Sequence, residues 1–214
     1  MNPSLPKVRL DLHIHTGRYS QCAELVDPFR IGDAASRAGL SGVVLTEHDM
    51  FWQDEETELL RAAVSPLRVY RGLEVSAAEC HVLVIGIEDA ALFDRRMRVE
   101  QVIEVAHAAG AVTVLAHPYR DASPEELPVE NFDAIEIGST SFNRQEAKRS
   151  IRLARTFDKP MIASSDAHAL SRIGWGWTEF PTLPANELEL AAAIRSGQGR
   201  AVIPRALRGK VVRR

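Results

Sequence analysis

The sequence has few cysteines, no long apolar run and no excess of basic residues. Only Cys22 and Cys80 occur in 214 residues, which is too few for a disulfide framework and fits a reducing compartment. No apolar run approaches the roughly 20 residues that span a bilayer, and the N-terminal segment MNPSLPKVRLDLHIH lacks the apolar core of a signal peptide. We therefore expect a cytoplasmic protein that does not bind membranes.

The charge balance is slightly acidic, with 26 basic and 29 acidic residues and a net charge of -3. Bulk charge therefore gives no reason to expect binding to nucleic acid or to anionic lipid. An anionic substrate would have to be held by a few local groups. The sequence does not indicate an oligomeric state.

Short β-branched, apolar runs alternate with helical patterns along the chain. Strands are predicted over residues 8–15, 42–49, 67–77, 81–87, 111–118, 133–139 and 160–168. Helices are predicted over Phe29–Ala38, Glu55–Ala63, Arg95–Ala109, Asn143–Phe157 and Glu187–Arg195, with Gly39 and Gly110 as helix stops.

This alternation indicates one domain over residues 1–214, with a largely parallel sheet. Seven such units in so short a chain favour a compact, barrel-like α/β fold, and an open doubly wound sheet is the alternative. Residues 121–132 form a predicted Pro- and acid-rich loop, and the basic residues 205–214 a predicted surface terminus.

Most histidines and several carboxylates fall at or beside the ends of predicted strands. The histidines are His13, His15, His48, His81, His117 and His168, and the carboxylates are Glu74, Asp166 and either Glu47 or Asp49. The C-terminal ends of parallel strands share one face of a sheet, so residues distant in sequence converge there. We therefore expect a single site on that face.

The spacing and type of these residues indicate metal binding. His13 and His15 are two apart on a strand and so point to the same side, as do Asp166 and His168. A mixed histidine and carboxylate set favours a multinuclear hydrolytic centre over a structural zinc site, which would use cysteines. We place one ion on His13, His15, Glu74 and Asp166, a second on Glu74, His81 and His117, and a third on His48 and His168.

Some nearby residues allow two interpretations. His107 lies inside a helical stretch, where a structural role is expected. Asp11 and Asp49 each fit either an orienting partner of a ligand or a solvated carboxylate. The tryptophans close to these motifs could stack on a base or pack in the core, and they are Trp52, Trp175 and Trp177.

Taken in order, DLHIHT, LTEHD, GLEVSA, HVLVIG, LAHP and SSDAH resemble the signature series of the PHP (polymerase and histidinol phosphatase) superfamily, over residues 9–180. Residues 133–180 resemble the C-terminal region of its small stand-alone phosphoesterases. The resemblance implies a distorted seven-stranded β/α (TIM-like) barrel that binds two or three zinc, manganese or iron ions and hydrolyses phosphoesters. It also implies the ligand sets proposed above.

One segment departs from the family pattern. After HxHT, many members continue with a histidine or aspartate that completes the third site, whereas this chain reads GRYSQCAE, with Gln21 and Cys22 near that place. Cys22 could bind metal as a thiolate or remain a free thiol. A weak or absent third ion would still leave a two-metal mechanism.

These features predict a phosphoesterase that uses metal-activated hydroxide on a small phosphate ester, such as a nucleotide or a sugar or amino-alcohol phosphate, or on an oligonucleotide end. Arg120 and Arg18 are candidates for gripping phosphate, and Arg172 is a weaker third, against the alternative of solvated surface charges. His48 or His168 could serve as general acid where the third metal is missing. The alternative functions are an amidohydrolase and a catalytically silent regulatory domain.

Overall fold

The computed structural model describes residues 8–120, 123–203 and 207. One nine-stranded sheet, in the order β7-β6-β5-β4-β3-β2-β1-β8-β9, forms its centre. The strands are β1 (Val8–Ile14), β2 (Gly42–Leu45), β3 (Arg68–Ser76), β4 (His81–Ile85), β5 (Val112–Leu115), β6 (Ala134–Glu136), β7 (Met161–Ile162), β8 (Trp177–Phe180) and β9 (Arg200–Val202).

The sheet curves into a nearly closed, barrel-like form. The chain beyond β7 returns to the end of β1, where the Asp166 N–H donates to the His13 carbonyl at 2.8 Å and the His15 N–H donates to the Ala167 carbonyl at 3.1 Å. These two bonds join the segment that follows β7, the first strand in the order, to the end of β1. The α/β barrel expectation is therefore confirmed at the level of fold class.

Two details of the prediction are wrong. The sheet has nine strands rather than seven, because β8 and β9 add an antiparallel extension on the outer side of β1. The sheet is also less parallel than expected, since β4 runs antiparallel to both β3 and β5. Only residues 77–80 connect β3 to β4, and so short a connection can form a hairpin but not a crossover.

The helices are α1 (Ile31–Ala38), α2 (Asp54–Ala63), α3 (Val99–Ala108), α4 (Arg144–Thr156) and α5 (Glu187–Arg195). They match the predicted helices to within two residues at each end, except that α3 begins four residues later, after an extended Arg98. Gly39 and Gly110 adopt left-handed φ angles of 69° and 78° and follow α1 and α3 as predicted helix stops. The Asn143 side chain caps α4 by accepting from the backbone N–H groups of Gln145 and Glu146.

A buried apolar cluster inside the curve of the sheet draws side chains from β1 through β8, among them Leu12, Tyr70 and Leu83. Helix α5 packs Leu190 and Ile194 into the same cluster. Such burial from so many strands fixes their relative positions and hence the positions of the residues at their ends.

The predicted loop at residues 121–132 is described from residue 123 and contains two short 3-10 turns, Pro124–Glu126 and Val129–Asn131. Apart from Leu207, the predicted terminus at residues 205–214 lies outside the described residues. Within the described ranges, every helix is too short or too polar to cross a lipid bilayer.

Candidate metal centre

The predicted ligands meet at one edge of the sheet. His13 and His15 come from the end of β1, Glu74 from β3, His117 from the segment after β5 and Asp166 from the segment after β7. His48 follows β2 and bridges to Glu74 through the backbone. His81 is the first residue of β4, and the reversed direction of β4 places that first residue beside the last residues of its neighbours.

Glu74 is the centre of this cluster, and its side chain is fully buried. Its Oε2 lies 3.2 Å from His13 Nε2, 3.1 Å from His15 Nε2 and 3.1 Å from His48 Nδ1. Its Oε1 lies 2.9 Å from His81 Nδ1 and 2.8 Å from His117 Nε2. The two oxygens of one carboxylate therefore face two separate sets of imidazoles.

Asp166 completes the first set. Its Oδ1 lies 3.4 Å from the Nε2 atoms of both His13 and His15, and those two Nε2 atoms are 3.0 Å apart. Ligand atoms about 2.1 Å from a shared ion are separated from one another by about 3.0 to 3.4 Å in octahedral or tetrahedral geometry. The spacing of these donors thus fits one divalent ion.

The hydrogen bonding of the Glu74 and Asp166 carboxylates also supports a bound cation. Among the described residues, Glu74 Oε2 and Asp166 Oδ1 are buried oxygens without a hydrogen bond of ordinary geometry. Buried oxygens of this kind require compensation, because burying an unpaired anionic group is costly. A cation between these oxygens and the facing imidazoles would supply that compensation.

A third group of donors consists of His15, His48 and His168, whose ligand atoms lie within 4.8 Å of one another. Burial lowers the pKa of His48 to about 4, and burial followed by the positive charge of His15 lowers the pKa of His168. His48 is therefore neutral near pH 7, which suits an imidazole that binds a metal.

Gln21 and Cys22 stand near the place where many PHP proteins have a further histidine or aspartate ligand for the third ion. Gln21 and Cys22 lie in an exposed 3-10 turn, Gln21–Ala23, and Cys22 belongs to none of the potential metal-binding groups found among the described residues. Desolvation, together with the negative charges of Glu74 and Asp166, raises the pKa of Cys22. The thiol is therefore protonated near neutral pH, as expected for a free cysteine.

The backbone is strained at two of the ligand positions. His117 has a φ of 25° and Asp166 a φ of 51°, in the left-handed region that non-glycine residues rarely adopt. Strain of about 1–3 kcal/mol per residue is typical of functional sites whose surroundings fix the conformation. Here each strained residue lies in the segment after a strand, His117 after β5 and Asp166 after β7, and directs its side chain at the cluster.

Glu136 is a buried member of the site that the sequence analysis missed. It is the last residue of β6, and its Oε2 accepts the His117 backbone N–H at 2.8 Å. Its Oε1 lies 3.4 Å from His13 Nδ1 and accepts from the Ser164 hydroxyl. Burial opposes ionisation of Glu136, but the hydrogen bond with His13 keeps its pKa below the usual value. The available signal was a charged residue inside the apolar run DAIEIG.

Asp11 supports the site in a different way from that expected. It accepts the backbone N–H groups of Ser165 at 2.8 Å and Gly174 at 2.9 Å, so its described hydrogen bonds do not orient a histidine ring. Burial raises the pKa of Asp11 to about 6. The carboxylate holds the backbone segment that carries Asp166.

The other residues singled out in the sequence make local contacts that stabilise the fold. Glu47 is buried and accepts from Thr16, Ser20 and the Trp52 indole, which is itself almost fully buried. Asp49 accepts the Ser76 N–H at 2.7 Å and pairs with Arg95. Elsewhere, His107 on α3 pairs with Asp133 at 2.9 Å. Trp177 lies under Arg9, and Trp175 lies under Arg172.

The three candidate arginines differ in position. Arg120 Nη1 lies 3.2 Å from Asp166 Oδ2, and the Arg120 side chain is about one-third exposed. Arg18 is half exposed and pairs with Glu56 on α2, and Arg172 stacks on Trp175 with 3.9 Å between its guanidinium carbon and the ring centroid. Of these described contacts, that of Arg120 alone reaches a predicted ligand.

A cavity of about 880 Å³ lies next to the site but is not formed by the predicted ligands. Its lining includes six carboxylates: Asp49, Asp54, Glu55, Glu56, Glu88 and Asp89. Such a concentration of negative charge disfavours a phosphate group.

The comparisons with known proteins agree with this architecture. The family model described as PHP-associated matches residues 144–198, and a search of the curated proteins finds no match. The chain is similar in structure to PsfC from Pseudomonas syringae PB-5123, with a TM-score of 0.71, 18% identity and coverage of 94% of this chain and 93% of that one.

Two further solved structures share the fold. One is a two-domain protein from Bacteroides vulgatus that contains a predicted PHP-like metal-dependent phosphoesterase, with a TM-score of 0.73, 19% identity and coverage of 94% of this chain and 67% of that one. The other is the lesion-specific endonuclease EndoQ from Pyrococcus furiosus, with a TM-score of 0.63 and 19% identity. The match covers 92% of this chain and 58% of the endonuclease chain. The family model thus covers α4 and α5, and the solved structures show that the fold of this chain is shared with PHP-like proteins.

Proposed function

We propose that this protein is a metal-dependent phosphoesterase that hydrolyses a small phosphate ester. The observation that carries the proposal is the position of Glu74, whose two buried oxygens face His13 and His15 on one side and His81 and His117 on the other. A carboxylate shared in this way is suited to bridging two divalent ions.

The residues divide into sets that would hold the ions. His13, His15, Glu74 and Asp166 form the first set, Glu74, His81 and His117 the second, and His15, His48 and His168 a possible third. Zinc, manganese or iron bound there would supply Lewis-acid activation of water and stabilisation of negative charge. The buried side chains hold the donors in place and keep bulk water away from them.

Arg120 is the side chain best placed to bind the substrate phosphate. Its guanidinium reaches Asp166 while remaining partly exposed to solvent, so it lies at the boundary between the ligand cluster and the outside. Guanidinium groups match the geometry of phosphate oxygens. A phosphate that approaches the ions would therefore also meet Arg120.

Replacing Arg120 with alanine should lower kcat/KM for a phosphate ester on the order of 10- to 100-fold, since a hydrogen bond to a charged group contributes about 1.5–3 kcal/mol. Steady-state kinetics would measure the loss. Arg96→Ala is the control, because Arg96 is highly exposed and pairs with Asp94. Arg18→Ala should have a smaller effect than Arg120→Ala, and the opposite order would assign phosphate binding to Arg18.

The proposed substrate is a nucleotide or another small phosphate ester. The net charge of -3 gives no overall surplus of basic residues to attract a long polyanion. EndoQ, which shares the fold, is an endonuclease and has been observed with a 27-mer duplex, so an oligonucleotide end is the second substrate class. Comparing turnover of mononucleotides with that of short oligonucleotides would separate the two classes.

Elemental mass spectrometry of protein purified without chelating resin, paired with hydrolysis of aryl phosphate monoesters and diesters, tests the proposal. Two or more ions per chain and metal-dependent phosphoester turnover are expected. Bound metal with amide hydrolysis but no phosphoester hydrolysis would favour the amidohydrolase alternative. A chain without metal would favour a regulatory barrel and overturn the proposal.

A further inference from the structure

We infer that Glu136 is a positioning residue that fixes the geometry of both ion sets at once. The inference rests on the proposed function, because it concerns the metal ligands of the same centre. Glu136 is fully buried on β6, on a strand that supplies none of the predicted ligands. One of its oxygens contacts His13, which belongs to the first set, and the other contacts the backbone of His117, which belongs to the second.

The first contact concerns His13. Glu136 Oε1 lies 3.4 Å from His13 Nδ1, while His13 Nε2 faces Glu74 and Asp166. An imidazole that binds a cation through Nε2 carries its proton on Nδ1, and a carboxylate that accepts this proton fixes the tautomer and the ring orientation. Glu136 is therefore placed to direct the Nε2 lone pair of His13 at the first set.

The second contact concerns His117. Glu136 Oε2 accepts the backbone N–H of His117 at 2.8 Å, at the residue whose φ of 25° is strained. In this conformation His117 Nε2 reaches Glu74 Oε1 at 2.8 Å. A charge-assisted hydrogen bond to the backbone offsets the strain, so Glu136 also holds the imidazole of the second set.

The third contact explains why a carboxylate is needed. Ser164 lies two residues before Asp166, and its hydroxyl donates to Glu136 Oε1. His13 Nδ1–H, His117 N–H and the Ser164 hydroxyl are all donors, and an ionised carboxylate offers only acceptors. A glutamine at position 136 would turn an amide NH₂ toward at least one donor, leaving a buried mismatch.

The test is a titration of metal-free protein with Zn²⁺ in competition with a chromophoric chelator. Glu136→Gln should weaken both binding steps, on the order of 10- to 100-fold each, as is typical when a partner of a metal ligand is removed. His81→Ala is the comparison, because His81 belongs to the second set and should weaken mainly one step. Glu179→Gln is the matched control, since Glu179 is a buried glutamate on β8 that pairs with Arg9 and Arg200.

The outcomes separate this inference from the proposed function. Wild-type protein that binds no Zn²⁺ would overturn both, whereas wild-type affinities in Glu136→Gln would overturn the inference alone. Weakening of a single step would also overturn it, because Glu136 would then serve one set only. Where Glu136→Gln fails to fold, as judged by circular dichroism, Glu136→Asp keeps the charge with a shorter reach. Intermediate weakening of both steps in that variant supports the inference, and unchanged binding overturns it.

Discussion

Replacing Glu74 with glutamine is expected to remove phosphoester hydrolysis almost completely, by roughly 10³-fold or more in kcat/KM, because several kcal/mol of charge stabilisation is lost with the ions. Glutamine keeps the size of the side chain but has one oxygen in place of two and no charge. Since Glu74 Oε1 and Oε2 face different imidazole sets, the variant loses the carboxylate that lies between the two sets. Metal content should fall below one ion per chain.

The comparison variants make this result specific. Glu179→Gln changes a buried glutamate outside the site and should keep wild-type metal content and turnover. His81→Ala should lose the second ion while keeping the first, because Glu74 remains together with His13, His15 and Asp166. Elemental mass spectrometry and steady-state kinetics on the same preparations would measure both effects. A Glu74→Gln protein that retains two ions and normal turnover would show that the bridge is not Glu74.

The convergence of the predicted metal ligands could be anticipated because their positions at strand ends depend on local sequence. A strand alternates its side chains, so His13 and His15 emerge together wherever β1 lies in the sheet. The ends of buried strands are recognisable from apolar runs, and the structure places His48, His117 and Asp166 within four residues after β2, β5 and β7. The prediction that these residues meet needed only the rule that parallel strands share an edge.

The direction of β4 could not be predicted with the same ease. His81 begins its strand, and in a wholly parallel sheet it would lie at the opposite edge from Glu74. The structure reverses β4, which brings His81 Nδ1 to 2.9 Å from Glu74 Oε1. The short connection between β3 and β4 indicates an antiparallel pair. The alternation of strands and helices elsewhere in the chain favoured a parallel sheet and led to the wrong prediction.

Glu136 was missed, and the actual partners of Asp11 were not predicted, because these partners are distant in sequence. Glu136 contacts residues 123, 28 and 19 positions away, namely His13, Ser164 and the His117 backbone. Asp11 reaches Ser165 and Gly174 across the closure of the sheet. Neither residue type nor spacing indicates such contacts, since they depend on which strands become neighbours.

Removing metal is expected to abolish turnover and to lower the thermal stability of the protein. An ion present at about 100 times its dissociation constant stabilises the folded state by about 2.7 kcal/mol. For a domain of this size, each kcal/mol corresponds to about 2–4 °C in Tm, so we expect a decrease of roughly 5–10 °C. Differential scanning calorimetry of chelator-treated and metal-restored protein would measure it.

The controls use the variants already described. Restoring metal to the Glu179→Gln variant should raise its Tm by as much as in the wild-type protein. Restoring metal to the Glu74→Gln variant should change its Tm little. Full turnover and an unchanged Tm in protein shown to contain no metal would contradict a metal-dependent centre. A Tm shift without any effect on turnover would indicate that the ions are structural.

The loss of stability should be largest where the sheet closes. The first ion set takes His13 from β1, His15 from just after β1 and Asp166 from beyond β7, so a bound ion would tie β1 to the segment that follows β7. Without it, the described backbone bonds at that junction include those from the Asp166 and His15 N–H groups. Hydrogen exchange should therefore accelerate at these two amides on metal removal, more than at the amides of β4 in the middle of the sheet. A uniform acceleration across the sheet would instead indicate global destabilisation, with no special role of the ion in closing the barrel.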